Sequence, residues 1–334
     1  MPELRAAGAS VVEVTESGIV ELPRRLPRLV RELRSFQPDV LYGQLAYGNV
    51  LAVLCKPFLP RTKIVQGILG LRPERDPAAM LVRVLYRAES ASSHFADAIV
   101  ANSEAAREHA LARRFPHERI HVVYNGIDTE HFRHDPIARK EIRSEWSIRD
   151  DDLLIGRMGR MRPTKDYPTF LRAAAQAAAH RRDIRFVAVG DGPDRESIEA
   201  HASQLGLDDR LVCVGERTDV VAIMSALDIM VSSSTSESFP NVIPEAMACG
   251  VPCVVTDVGD SATIVGSTGL VVPPESPGAL ADAMLELTER LSHDERRLRA
   301  NARARVESQF ALDVMVSSFV RLLQDVSQRP RGAL

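Results

Sequence analysis

Short runs rich in Val and Ile alternate, from one end of the chain to the other, with stretches whose apolar residues recur at helical spacing. Strands that are apolar on both faces belong in parallel sheets covered by helices on either side. The strand-like runs fall in two series. The first comprises 10–14, 40–42, 63–67, 98–101 and 121–124, with amphipathic stretches at 26–36 and 78–95. The second comprises 153–158, 184–189, 211–214, 229–232, 252–256 and 269–272, with helices expected at 166–180, 194–206, 219–227, 241–249 and 277–291. Asn125-Gly126-Ile127-Asp128 closes the first series with a strong turn dipeptide, and the polar stretch 129–152 leads into the second. A last amphipathic stretch carries Phe310, Val314, Phe319, Leu322 and Leu323. The expectation is α/β: two doubly wound parallel-sheet domains, 1–135 and 136–309, then a terminal helix in 310–334 that packs back towards the first. A length of 334 residues suits that division.

Composition removes several function classes. A hydrophobic fraction of 45% with 26% charged residues excludes a disordered chain. A net charge of −3 argues against a nucleic-acid partner. No run of 18 apolar residues is present, and the first twenty residues lack a signal-peptide pattern, so a cytoplasmic protein is expected. Cys55, Cys213, Cys249 and Cys253 show no C-x2-C spacing near histidines, so no metal is expected. They read as small buried hydrophobes of a reduced compartment.

Clefts in open parallel sheets lie beyond the carboxyl ends of the strands. In the second series those ends carry Gly159-Arg160-Met161-Arg162-Pro163-Thr164-Lys165, then Gly190-Asp191-Gly192-Pro193, then Gly215-Glu216-Arg217. The segments from Ser232 to Asn241 and from Asp257 to Asp260 follow. Arg160 and Lys165 can clamp a diphosphate, a planar fork beside a compact charge. A basic pair in a strand–helix loop is also commonly just a solvated edge. Glu237 and Glu245 stand eight residues apart, one in a loop and the other about a turn inside the next helix. Pro244 suits a first helical turn, whose free N–H groups, from about Phe239 to Val242, would face the cleft. The two carboxylates either grip sugar hydroxyls or form a simple acid pair favoured by the helix dipole. Dinucleotide, P-loop and serine-hydrolase fingerprints are all missing.

Taken together, these motifs resemble a known family. The run from Glu237 through Ser238-Phe239-Pro240-Asn241-Val242-Ile243-Pro244 to Glu245, continuing to Pro252, resembles the E-x7-E signature of the retaining glycosyltransferases of family 4. Gly-Arg-x4-Lys at Gly159 to Lys165, Gly190 to Pro193, and Gly269 to Pro274 stand in the family's order. The segments from Ala96 to Ser103 and from Val123 to Asp128 also resemble it. The resemblance implies the GT-B fold of two Rossmann-like domains, an acceptor domain followed by a nucleotide-sugar domain. It implies that Arg160 and Lys165 stabilise the leaving diphosphate, with no metal or other cofactor. It implies that Glu237 holds donor-sugar hydroxyls, with Ser238, Phe239, Pro240, Asn241 and Val242 beside it, and that Glu245 binds the ribose. Gly159, Gly190, Asp191, Gly192, Glu216 and Arg217 would lie near the nucleotide. The implied donor is a UDP-linked sugar; the implied acceptor is a cell-envelope, lipid-linked or exopolysaccharide glycan.

Two departures stand out. The family often carries a histidine near the transferred sugar; in register that position is Leu69. Residues 1–8 read as the end of a later helix and 10–14 as the strand after it, so the acceptor domain is expected to lack its opening βα unit. Arg24, Arg28, Arg31 and Arg34 form one helical stripe, and Leu26, Leu29, Val30 and Leu33 another. Such a helix either rests on anionic lipid or packs its apolar stripe on its own sheet. The first 135 residues carry 18 basic and 16 acidic groups, or +2, and the remainder 24 and 29, or −5, a sign that suits a peripheral membrane visit. Two alternatives stay open: a UDP-sugar 2-epimerase of the same architecture, and a relative that binds nucleotide without transferring sugar.

Overall fold

A computed structural model describes residues 6, 8–12, 22–70 and 80–328, excepting the side chains of 22–25 and 81. The chain divides into two compact units. One contains residues up to Ala101, Arg107–Val122 and Val320 onward; the other contains Asn102–Ala106 and Val123–Phe319.

The first unit is built from α1 (Leu22–Phe36), β1 (Val40–Gln44), α2 (Leu45–Cys55), β2 (Lys63–Ile68), α3 (Met80–Ser92) and β3 (Ala98–Ala101), with most of α4 (Glu104–Ala112) and with β4 (Ile120–Val122). Its strands form a parallel sheet in the order β1-β2-β3-β4. The apolar stripe of α1 packs inward: Val30 is buried with Cys55 and Leu59, beside Leu26, Leu29, Leu33 and Leu41. Arg28, Arg31 and Arg34 face solvent, and the Arg24 side chain lies outside the described residues. The strand expected at 10–14 is a correction. Ser10, Val11 and Val12 are irregular, and the rest of that run lies outside the described residues. A strand exists through its ladder, and this short run pairs with nothing described.

The second unit holds α5 (Pro136–Glu145), β5 (Leu153–Met158), α6 (Tyr167–His180), β6 (Ile184–Val189), α7 (Arg195–Gln204), β7 (Leu211–Val214), α8 (Val220–Ala226) and β8 (Ile229–Ser232). It continues with α9 (Val242–Ala248), β9 (Cys253–Thr256), α10 (Ser261–Val265), β10 (Leu270–Val272), α11 (Pro277–Gln309) and the start of α12 (Leu312–Gln328). Its six parallel strands run β10-β9-β8-β5-β6-β7. The chain winds outward from β5 to β7, then returns to place β8 against the other side of β5, which makes β5/β8 the topological switch point. Successive residues feed opposite cores, as the two-residue period of a strand demands. Leu154, Val187 and Met230 pack with Ile223, Ile243 and Met247. Ile155, Ala188 and Val231 pack with Phe170, Leu171 and Met284.

Local chemistry explains the helix ends. Asp135 accepts from the Ile137 and Ala138 amides at 2.9 and 3.0 Å, ahead of Pro136. The helix expected at 277–291 is followed, across a kink at Asp294, by a second helix that runs to Gln309. Asp294 leaves helical geometry (φ −155°, ψ 61°) and accepts from the Arg297 amide at 3.2 Å, so it caps the second helix at the kink. The Asn125-Gly126 turn is tight because a methyl at Gly126 would stand 2.8 Å from the Leu312 Cα.

Candidate active site

Because β5 and β8 are neighbours, the loops that leave them meet. Thr235 N donates to Thr164 O at 3.0 Å, and Ser233 Oγ donates to the carbonyls of Lys165 and Asp166 at 3.1 and 2.9 Å. This brings Lys165 and Glu237 together: Lys165 Nζ donates to Glu237 Oε1, which also accepts from Ser234 Oγ at 2.7 Å. The pair is nearly buried, with side chains 15% and 11% exposed. Burial holds the Lys165 ammonium below its usual pKa, against the opposing pull of Glu237.

Beneath this pair lies Arg157, 1% exposed, on the last turn of β5 before its exit. Its guanidinium donates to Met158 O (3.0 Å), Lys165 O (2.6 Å) and Ser234 Oγ (3.3 Å) and lies over the Tyr167 ring, 4.9 Å from the centroid. The residue-by-residue motif reading missed it. The available signal was a charged residue inside the apolar run Leu153-Leu154-Ile155-Gly156-Arg157-Met158.

The ends of β5, β6 and β7 enclose a cavity of about 530 Å³. Gly159, Arg160, Gly190, Asp191, Gly192, Glu216 and Arg217 all line it. Its floor is backbone on backbone: Gly159 N donates to Val189 O at 3.0 Å and Met161 N to Asp191 O at 2.8 Å. A methyl at Gly190 would sit 2.1 Å from Gly159 O, and one at Gly192 would sit 2.2 Å from Met161 O. Arg160 is exposed and forms none of the ion pairs among the described residues. Arg217 differs: its guanidinium is held by Asp219 (2.6 Å) and Glu145 (2.6 Å). The Asp219 and Glu145 hydrogen bonds raise its pKa, so it lines the cavity as an already neutralised group. Asp191 is held below the usual carboxylate range by the Gly192 amide and then by Arg195.

The residues of the Glu237 loop serve different ends. Ser238 Oγ meets Ser103 Oγ at 2.7 Å and donates to Asn102 Oδ1 at 3.1 Å. Ser103 Oγ caps α4 through the Ala106 amide at 2.9 Å, and Asp260 accepts from the Glu104 and Ala105 amides, both at 2.9 Å. Phe239 is a core residue, packed against Tyr124 and Phe310 with ring centroids 5.8 and 5.7 Å away. Pro240 is buried; Asn241 is exposed and accepts from Asn125 Nδ2 at 2.9 Å, and Val242 opens α9 half-buried. Glu245 lies one turn into α9, half-buried, its pKa pushed up by desolvation, and no described hydrogen bond or ion pair engages its carboxylate. The structure therefore joins Lys165 with Glu237 and gathers the glycines with Arg160 at the cavity. Leu69 stands just past β2, 36% exposed. Among the described residues no group of three or more His, Cys, Asp or Glu could hold a metal ion, and no helix is long and apolar enough to cross a membrane.

A family model described as Glycosyltransferase Family 4 matches residues 4–131, and one described as Glycosyl transferases group 1 matches 152–290. The chain belongs to glycosyltransferase family 4. This glycosyltransferase is 29% identical over 300 residues to the GDP-mannose-dependent alpha-mannosyltransferase of Mycobacterium tuberculosis, covering 86% of this chain and 74% of the relative. It is 30% identical over 216 residues to the N-acetyl-alpha-D-glucosaminyl L-malate synthase of Bacillus anthracis, covering 63% and 55%. The chain thus spans little more than half the length of the latter relative. Its fold matches the crystal structure of Anabaena HepE in complex with UDP, with a TM-score of 0.82 at 22% identity over 97% of this chain and 88% of that one. The fold is GT-B.

Proposed function

We propose that this glycosyltransferase moves a sugar, with retention of anomeric configuration, from a UDP-linked donor to a cell-envelope, lipid-linked or exopolysaccharide acceptor. The observation that carries the reading is the buried Lys165–Glu237 pair at the β5/β8 switch point, with Arg160 on the cavity beside it. In this reading the nucleotide occupies the cavity of about 530 Å³. Arg160 and Lys165 take up the charge that develops on the departing diphosphate, which is the main catalytic device. Glu237 accepts from donor-sugar hydroxyls and Glu245 from the ribose. The group that leaves is itself an anion that basic side chains can stabilise, so the reading needs no metal; chelator-insensitive turnover tests that part.

The test is calorimetric titration with UDP, GDP and ADP, followed by nucleotide release from the matching sugar donors. Binding of one nucleoside diphosphate, lost in Lys165→Ala and Glu245→Ala, supports the assignment; unchanged affinity in Glu245→Ala removes Glu245 from the donor site. Nucleotide release that needs an added acceptor marks a transferase, whereas release without one marks the epimerase alternative.

The acceptor side invites a membrane reading. The solvent face of α1 carries Arg28 and Arg31, and Leu26, Pro27, Val30, Arg31, Arg34 and Phe58 line a groove of about 360 Å³. We propose that this face rests on anionic lipid where a lipid-linked acceptor lies. Flotation with phosphatidylglycerol vesicles should show binding that weakens as salt rises. Binding indifferent to salt, or retained in Arg28→Glu/Arg31→Glu, refutes it.

A further inference from the structure

We infer that Arg157 is a positioning residue of this site, a buried charge whose Nη2 holds Lys165 and Glu237 in register for a nucleoside diphosphate. The inference rests on the nucleotide-sugar reading above and adds a residue that the motifs do not include.

Three observations carry it. First, the guanidinium is buried without a carboxylate. No described carboxylate oxygen lies within 4.0 Å of it, and its Nε has no hydrogen-bond partner. Arginine is almost never fully buried unless paired, because an unpaired buried charge is strongly penalised. Second, one terminal nitrogen reaches both halves of the site, while the other donates to Met158 O at 3.0 Å. Nη2 donates to the Lys165 carbonyl at 2.6 Å and to Ser234 Oγ at 3.3 Å, and Ser234 in turn donates to Glu237 Oε1 at 2.7 Å. One planar group therefore sets the backbone of the lysine and the side chain that orients the carboxylate. Third, the local charge is unbalanced. Arg157 and Lys165 meet one carboxylate, Glu237, which is bonded to Lys165 Nζ directly and to Arg157 through Ser234. A diphosphate arriving beside Lys165 supplies the missing negative charge. A plain structural strut explains the hydrogen bonds but not the unpaired charge, since a neutral side chain serves as a strut without that penalty.

Two substitutions separate charge from geometry. Arg157→Met keeps an unbranched stem and removes the charge. Arg157→Lys keeps the charge, but its nitrogen ends one bond short of the Nη2 that now bridges Lys165 O and Ser234 Oγ. Titrations use UDP or GDP, whichever the wild type binds, against uridine or guanosine and against the corresponding UDP- or GDP-glucose. Arg157→Met should bind the nucleoside diphosphate about tenfold more weakly than wild type, the scale of a lost charge-assisted hydrogen bond. Its affinity for the bare nucleoside should not change. Arg157→Lys should recover most of the diphosphate affinity yet lose the extra affinity that glucose adds, because Glu237 is no longer held. Equal diphosphate-to-nucleoside ratios in Arg157→Met and wild type overturn the assignment. Should Arg157→Met fail to fold, Arg157→Lys decides alone: an unchanged sugar contribution overturns it. A wild type that binds neither diphosphate overturns the nucleotide-sugar reading itself, and the assignment falls with it.

Discussion

Replacing Gly190 by alanine tests the loop packing that builds the cavity at the ends of β5, β6 and β7. The backbone there has φ +141°, a conformation L-residues rarely adopt. The added methyl would lie 2.1 Å from Gly159 O and 2.9 Å from Gly159 C. Neither neighbour can yield cheaply. Gly159 is tied by its N–H to Val189 O and by its carbonyl to Tyr167 Oη, and Gly190 N is tied to Val214 O at 3.0 Å. Backbone strain and overpacking each cost about 1–3 kcal/mol, so the substitution should destabilise the second unit by about 3–5 kcal/mol. In calorimetry the melting of that unit should fall by about 10 °C. Gly206 supplies the control: it also has positive φ (+69°), but a methyl there meets nothing within 4 Å. Gly206→Ala should cost only about 1 kcal/mol and leave nucleotide affinity intact. If Gly190→Ala costs no more than Gly206→Ala, the strand-end loops do not touch as described, and the cavity reading loses its floor.

Other substitutions probe the charges. Glu237→Gln strands a nearly buried ammonium and should cost about 2–4 kcal/mol in urea unfolding, while weakening UDP-sugar binding more than UDP binding; equal loss for both ligands would place Glu237 away from the sugar. Glu245 has a raised pKa in the folded state, so its folded form holds the proton longer than its unfolded form. Below the unfolded pKa both forms are neutral and nothing is lost; as pH rises through the folded pKa, stability falls. Glu245→Gln should therefore match wild type in acid and become the more stable protein near neutrality, and urea unfolding across that range that shows no such divergence contradicts its burial. Burial pushes Cys55 and Cys213 up to about 11 and Cys249 to about 12, with Cys253 also raised. A thiol reagent at mild alkaline pH should react slowly with the native protein and rapidly once it is unfolded; fast labelling of the native chain would show otherwise.

Much of the cavity was legible in the amino-acid order. The β5 exit, with Gly159 and Arg160, and the β6 exit, with Gly190 to Gly192, are read directly from apolar runs followed by glycine, since both depend on neighbours in the chain. Two other elements were less legible. The run at 10–14 looked like a strand because three valines suit a pleat, but a strand needs a partner that no local pattern supplies. The second half of α11 was missed because it is a separate helix, beginning at the kink at Asp294, whose side chain caps it through the Arg297 amide.

By itself the sequence determined the alternation of strand and helix, the order of the Gly-Arg-x4-Lys and E-x7-E motifs, and hence the family. These are patterns of period and spacing along one chain. Only the tertiary structure decided that Lys165 and Glu237, 72 positions apart, share a proton-bonded contact. It also decided that Arg157 lies buried beneath them, and that Arg217 arrives already neutralised by Glu145. Each of these follows from strand order: β8 returns to β5 rather than extending past β7. That choice is made by burial across the whole sheet, where no single segment carries the information.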